Sequence, residues 1–390
     1  MFDELHTIVS TKVHSNPFET QTRALHSALI SDRRVREILE IETPEVEDVS
    51  EIVELSKGKV LAVRMDKAYG ITGFKKPVIA SLILKRLIEA ARRNERNKKW
   101  IDGGNVNSSL ALAYFARKFA GDAAYVMSRF FPQYVLDYIR EISGDSIYLI
   151  QAPNLSLGIE RDFYQYLVQL VRTHPRYKRY QPLWHAKYSG QYTRFLGLEL
   201  ADKLSYAPDY IVTAIGAGST LEGQAIPIKE KFDGRPKIVV PEHFRSPLLN
   251  FGGAATTIRN GRGNKGYPAD WFSRPPEGIP HYVIGPHYEE MNPLISKDVL
   301  RAVDRVFLYE DDDWKEMSFY CHQHAMGIGN SSAANLVIAK RLAEEGRTVL
   351  TFIYEPFRSI YQGHNVHDHD SAIRTRVQPA EETTLGQPHR

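Results

Sequence analysis

The sequence predicts an α/β protein built on open, mostly parallel sheets with helices on both faces. Three observations carry that reading. Short runs rich in Val, Ile and Leu alternate with longer amphipathic stretches from residue 59 to residue 354. Strands spaced by helices pair in parallel, because each crossover returns the chain to the edge it left. Three of the strand-to-helix turns contain glycine: AYGITGFKK, IDGGNVNSS and IGAGSTLEG. The 390 residues are 43% hydrophobic and 25% charged, a globular balance that leaves room for a sizeable core and excludes wholesale disorder.

The elements follow in order. Residues 1–45 show no long periodicity, although 20–39 is compatible with a helix. VLAVRMD over 60–66 alternates and reads as a strand, followed by the turn YGITGF. A helix over 78–94 ends in basic residues, which suit the negative end of the helix dipole. Residues 100–102 enter the turn GGNVN, and a helix runs over 108–119. Strands over 123–128 and 146–151 alternate with helices over 134–143 and 161–173. DYIVTA over 209–214 is a near-continuous apolar strand, of the kind buried on both faces. Strands over 236–242 and 281–286, a strong helix over 330–345 and a last strand over 348–354 complete the pattern. Residues 250–278 are rich in Gly, Arg and Asn and read as a long loop. The polar segment from residue 364 reads as a disordered tail.

Charge and cysteine content narrow the function. Fifty basic and 47 acidic residues leave a net charge of +3, too little for a dedicated nucleic-acid or membrane-surface binder. The aromatic and basic run over 173–188 is read as a linker and not as a nucleic-acid stripe. A lone cysteine, Cys321, excludes an internal disulfide and a cysteine zinc cluster. No apolar run approaches the ~20 residues of a membrane helix. The N-terminus lacks the basic head and apolar core of a secretory signal. A cytoplasmic protein is expected. His364, His367 and His369 are read as part of a solvated tail, so no metal site is expected.

IGAGSTLEG is the most suggestive of the three turns. Gly216, Gly218 and Gly223 flank Ser219 and Thr220 at a helix start, where backbone N–H groups and the helix dipole favour a phosphate. A purely structural turn fits the same residues. No Gly-Lys-Ser/Thr follows, and the dinucleotide GxGxxG spacing is missing.

Four blocks, taken together, resemble the β-family, or fold type II, of pyridoxal phosphate enzymes, to which cysteine synthases belong. VRMDKAYGITGFKK is similar to the segment V-K-L-E-x-x-N-P-T-G-S-x-K without a gap. IDGGNVNSSLALA, thirty residues on, is similar to T-S-G-N-T-G-x-x-L-A. IGAGSTLEG is similar to G-T-G-G-T-x-x-G, and GNSSAANL to G-I-S-S-G-A-A. The blocks keep the family's order and cover most of residues 55–355.

The resemblance implies roles residue by residue. Lys75 would carry pyridoxal 5'-phosphate and act as general base, with Lys76 as its rival. Asn105 would bond the cofactor's phenolic oxygen. Gly216, Ala217, Gly218, Ser219 and Thr220 would hold its phosphate. Ser331 would face the pyridine nitrogen, a position that also suits a helix N-cap. A neutral hydroxyl there favours β-elimination and β-replacement through an aminoacrylate over transamination. The implied substrate is a serine- or cysteine-derived amino acid. A serine/threonine dehydratase and a non-catalytic binding protein on the same fold are the alternatives. The implied form is a homodimer. Its large domain would comprise residues 1–68 and 182–363, and its small mobile domain residues 69–181.

The chain departs from the family where the substrate would bind. Asp102, Gly103 and Gly104 stand in place of a Thr/Ser loop that grips the substrate carboxylate, and Val106 and Asn107 replace Thr-Gly. An inward Asp102 would repel a carboxylate at 4 Å by about 1 kcal/mol in water and about 4 kcal/mol at an effective dielectric of 20. Asp102 is therefore expected to turn outward, to cap the following helix, or to meet a cation on the substrate.

Overall fold

Strands that are apolar at every position must be covered on both faces, and strand register decides which side chains go to which layer. A computed structural model describes residues 1–15, 21–128, 133–152, 160–243 and 295–356. The loop read over 250–278, the strand read over 281–286 and the tail from residue 364 lie outside the described residues. In chain order the first elements are α1 (Phe2–Ser15), α2 (Thr22–Ile30), α3 (Arg33–Leu39), β1 (Val46–Asp48), β2 (Lys59–Arg64), α4 (Met65–Tyr69) and α5 (Lys75–Ala91). Then come β3 (Lys99–Gly103), α6 (Val106–Lys118), β4 (Asp122–Ser128), α7 (Gln133–Ser143), β5 (Tyr148–Ala152), α8 (Glu160–Thr173) and β6 (Gln181–Pro182). The chain continues through α9 (His185–Lys203), β7 (Tyr210–Val212), α10 (Ile226–Lys231) and β8 (Lys237–His243). It ends with α11 (Lys297–Arg301), β9 (Val303–Tyr309), α12 (Asp311–Gln323), α13 (Asn330–Ala343) and β10 (Thr348–Ile353).

The strands form two sheets, ordered β1-β2-β10-β7-β8-β9 and β5-β4-β3-β6. All pairs are parallel except β1 with β2. The chain leaves the larger sheet after β2, builds the smaller one, and returns at β7. Alternation in β2 sends Leu61 and Val63 to one face and Val60 and Ala62 to the other. The first face joins α5, α9 and the side of the smaller sheet that carries Trp100 and Tyr125 in one core. The second face packs on α12 and α13 through Met317, Leu336 and Val337. The far side of the smaller sheet, with Ile101, Ala124 and Val126, is covered by Leu167 of α8.

Four sequence expectations are corrected. The 60–66 strand stops at Arg64, and Met65 opens α4. Arg64 reaches forward to Asp66 through Nε at 2.9 Å and Nη2 at 2.6 Å, which draws the chain out of extension. Residues 1–45 hold three helices. Phe2, Leu5, Val9 and Val13 of α1 are all buried, each worth about 1.5–3 kcal/mol. The helix read over 20–39 breaks into α2 and α3, because the Asp32 side chain caps α3 at Arg34 N–H and Val35 N–H. The linker read over 173–188 contains β6 and the first turn of α9, and Tyr177, Tyr180 and Leu183 are buried.

Candidate active site

The C-terminal ends of β2, β10 and β7 lie side by side, with Arg64 opposite Ile353 and Val212 opposite Thr351. This edge is where open α/β sheets hold ligands. The two residues after β10, Tyr354 and Glu355, gather the motifs there. Phe74 N–H donates to the Tyr354 carbonyl at 3.0 Å, which ties down the start of α5 one residue before Lys75. Gly73 has φ +50°, and a Cβ on it would collide with the same carbonyl. Asn107 Nδ2, in the first turn of α6, donates to Glu355 Oε2 at 2.9 Å. Gly329 N–H, at the start of α13, donates to the Glu355 carbonyl at 3.2 Å. Tyr354 N–H donates to Ser332 Oγ at 3.0 Å, and the Tyr354 hydroxyl meets Thr213 Oγ1 at 2.9 Å, just before the Gly216–Thr220 turn. The four motifs, far apart in sequence, share one support.

Lys75 and Lys76 open α5, and their surroundings differ. Lys76 Nζ pairs with Glu40 at 2.8 Å and lies 4.7 Å from the centre of the Tyr114 ring. Lys118 and Tyr114 also bond Glu40. Burial opposes the Glu40 charge, yet those three partners hold its carboxyl down to about 2. Lys76 is thereby committed to a structural cluster, and Lys75 is partly buried at the helix start.

Asn105 is the N-cap of α6. Its Oδ1 accepts from Ser108 N–H at 3.3 Å and from Ser108 Oγ at 2.9 Å, which is an ordinary capping role. Gly216 and Ala217 are half-buried, while Gly218, Ser219 and Thr220 are buried at the head of a helix with a π-turn over Leu221–Ala225. π-Turns recur at functional sites because they re-aim a helix end. Gly218 has φ +75°, which only glycine adopts freely. Such a turn, with backbone N–H groups at a helix start, fits a phosphate. Ser331 is 8% exposed in the first turn of α13, but the N-cap is Gly329, so the capping role read for Ser331 is corrected. Val106 is buried in the shared core.

Asp102 departs from expectation most. Its side chain is 4% exposed and faces the protein. Oδ1 accepts from Gly103 N–H at 3.0 Å; Oδ2 accepts from His185 N–H at 3.3 Å and lies 3.1 Å from His185 Nδ1. Asp102 thus caps a helix, but the one it caps is α9 and not the helix that follows it. The reason is local: Trp184 turns left-handed at φ +60° without a capping side chain of its own, so the α9 N–H groups need an outside acceptor. His185 was not among the expected residues, nor was Ser189, one turn along α9, whose hydroxyl bonds Ser219 of the phosphate-like turn. His243 pairs with Asp311 at 3.1 Å.

The profile of the family described as pyridoxal-phosphate dependent enzyme matches residues 45–353. No curated protein matches the chain in sequence. The fold is similar to that of O-acetyl serine sulfhydrylase isoform 3 from Entamoeba histolytica, with 17% identity over 84% of this chain and 92% of that one and a TM-score of 0.61. It is also similar to an O-ureido-L-serine synthase, at 16% identity over 86% and 98%, TM-score 0.62. A hydrogen sulfide-producing enzyme from Fusobacterium nucleatum matches at 17% identity over 83% and 96%, TM-score 0.60. At such identities the likeness is one of fold.

Proposed function

Because the chain belongs to the family of pyridoxal-phosphate dependent enzymes, we propose that it catalyses β-replacement or β-elimination on a serine- or cysteine-derived amino acid. The observation that carries this reading is the convergence of the Lys75, Asn105 and Ser331 segments, and of the strand that leads into the Gly216–Thr220 turn, on Tyr354 and Glu355. When bound, pyridoxal phosphate supplies an electron sink for the electrons released at the substrate α-carbon.

The chain's own residues do the rest. Backbone N–H groups of Gly216, Ala217, Gly218, Ser219 and Thr220 hold the phosphate, and the positive end of the helix adds to their pull. Lys75 Nζ carries the cofactor and takes the proton from the substrate α-carbon. Asn105 would hold the cofactor's phenolic oxygen. Ser331 would meet the ring nitrogen with a neutral hydroxyl, which would give a positive nitrogen no counter-charge. That suits loss of a β-substituent over transamination. The closed site draws on both sheets, so residues 69–181 act as a mobile lobe against residues 1–68 and 182–363. One change is made to that division: Phe2 of α1 lies against Trp100 and Phe119 and belongs with the smaller sheet. The working form is a cytoplasmic homodimer.

Borohydride reduction of the holoenzyme, followed by peptide mass analysis, tests the assignment. The cofactor's mass is expected on Lys75. Lys75→Ala should lose it together with all turnover of O-acetyl-L-serine, O-phospho-L-serine and L-serine, and Lys76→Ala should keep both. A label on Lys76, or a Lys75→Ala protein that turns over at the wild-type rate, would overturn the reading.

A further inference from the structure

The turn where the family grips the substrate carboxylate carries no hydroxyl in this chain. Gly103, Gly104 and Val106 offer only backbone there, and Val106 is turned into the core. Across the same turn lies His185. Its ring is 4% exposed, and Asp102 Oδ2 stands 3.1 Å from its Nδ1. A carboxylate only accepts, so Nδ1 carries the proton and the ring orientation is fixed. Nε2 has no hydrogen-bond partner among the described residues. The ring edge faces Gly104: a Cβ on that residue would lie 3.0 Å from His185 Cε1, 3.5 Å from Nε2 and 3.1 Å from the Tyr125 hydroxyl oxygen. Gly104 also has φ +140°, where side chains are rarely tolerated. Glycine thus lets the turn that precedes Asn105 pass close against the imidazole edge. Nε2 is not one of the fully enclosed atoms left without a partner, so the ring edge keeps enough access for a polar group of a ligand to reach it.

We propose that His185 is a substrate-binding residue whose Nε2 donates to the α-carboxylate of the amino-acid substrate, with Asp102 as the positioning residue behind it. The inference deepens the function proposed above and rests on it. Donation from both nitrogens needs the doubly protonated ring, which then bridges two carboxylates, one of the protein and one of the ligand. The charge that an inward Asp102 would turn against the substrate is screened by the ring that stands between them. The lost hydroxyl donors are replaced by a single charge-assisted one, which is stronger than a neutral hydrogen bond.

Spectral titration of the holoenzyme with L-serine and with L-serinamide tests this, since the amide keeps the amine and loses the carboxylate charge. Wild type should bind L-serine at least tenfold more tightly than L-serinamide. His185→Phe removes the donor and keeps the ring volume, and should reduce the ratio below threefold with cofactor content unchanged. Asp102→Asn/His185→Phe leaves no buried lone carboxylate, so it guards against misfolding, and should also give a ratio below threefold. Asp102→Asn alone should lower the ratio while the ring remains. A ratio of tenfold or more in the double variant overturns the inference and leaves the proposed function standing. A wild-type protein that holds no pyridoxal phosphate overturns both.

Discussion

Two histidine–aspartate pairs lie at the C-terminal ends of strands, His185 with Asp102 near the end of β3 and His243, the last residue of β8, with Asp311. Each has a nitrogen 3.1 Å from a carboxylate oxygen. They differ in what surrounds the ring. Asp311 opens α12 and also accepts from Trp314 Nε1 at 3.0 Å. The His243 ring stands edge-on to Tyr309, with centroids 5.3 Å apart. Burial works against the Asp311 charge, but the His243 and Trp314 bonds hold its carboxyl well below the usual carboxylate range. In that pair the imidazole serves the carboxylate, inside an aromatic cage. In the other the carboxylate serves the imidazole, whose far edge faces Gly104. The composition of a pair does not reveal its role. What surrounds the ring does.

The largest expected effect tests whether the His185 side of the molecule is the working side. Ser189 ties α9 to Ser219, so the helix that presents His185 also braces the Gly216–Thr220 turn. Gly218→Val puts a β-branched residue at φ +75°, a backbone region closed to it. Its Cβ would also lie 3.2 Å from the Ile295 side chain. The turn must rearrange, and retention of pyridoxal phosphate in equilibrium dialysis should fall at least a hundredfold, about 3 kcal/mol. Unchanged retention would remove the phosphate from this turn and α9 from the site.

Why α9 escaped the sequence reading is physical. Its buried face mixes Tyr192, Leu196 and Leu200 with Ala186, Ser189, Gly190, Thr193 and Gly197, small residues that dilute its apolar stripe. They are small because backbone comes close: a Cβ on Gly197 would lie 2.7 Å from Gln224 Cα. The candidates Lys75, Asn105, the Gly216–Thr220 turn and Ser331 stand in local blocks of sequence, which a family resemblance can pick out. His185 is set by a partner 83 positions away, which no local pattern displays. The stripe Phe2, Leu5, Val9, Val13 in α1, by contrast, has plain helical spacing and was there to be read. So was the acidic start of α12, where Glu310 and Asp313 form a capping box.

A third buried histidine sharpens the comparison, because it has no carboxylate partner. His26 Nε2 meets the Ser81 carbonyl at 3.0 Å. Burial, aided by Lys85 and opposed by the Ser81 bond, pulls its pKa down to about 4. The folded value lies below the unfolded one, about 6.5. The neutral ring's contribution is therefore fully present above pH 6.5 and is lost as the pH falls toward 4. The difference is worth up to about 3 kcal/mol. His26→Gln keeps a donor for Ser81 and does not titrate. Urea denaturation at pH 7 and pH 4.5 should show wild type losing about 2 kcal/mol more than the variant. Equal losses would mean that burial alone does not disfavour the charged ring here.

The smallest effect separates the two pairs directly. His243→Phe removes the imidazole and keeps a ring against Tyr309. Asp311 then loses its strongest partner but keeps the Trp314 N–H, and at 14% side-chain exposure it keeps some water. The expected cost is about 1–2 kcal/mol of stability, below the full penalty of an isolated buried charge. Denaturation midpoints should fall accordingly, with cofactor content and the preference for L-serine over L-serinamide unchanged. The opposite pattern, intact stability with a flattened preference, would place the substrate's carboxylate at His243. The close approach of Gly104 to the His185 ring would then be a packing feature of α9, and the distinction drawn from the rings' surroundings would fail.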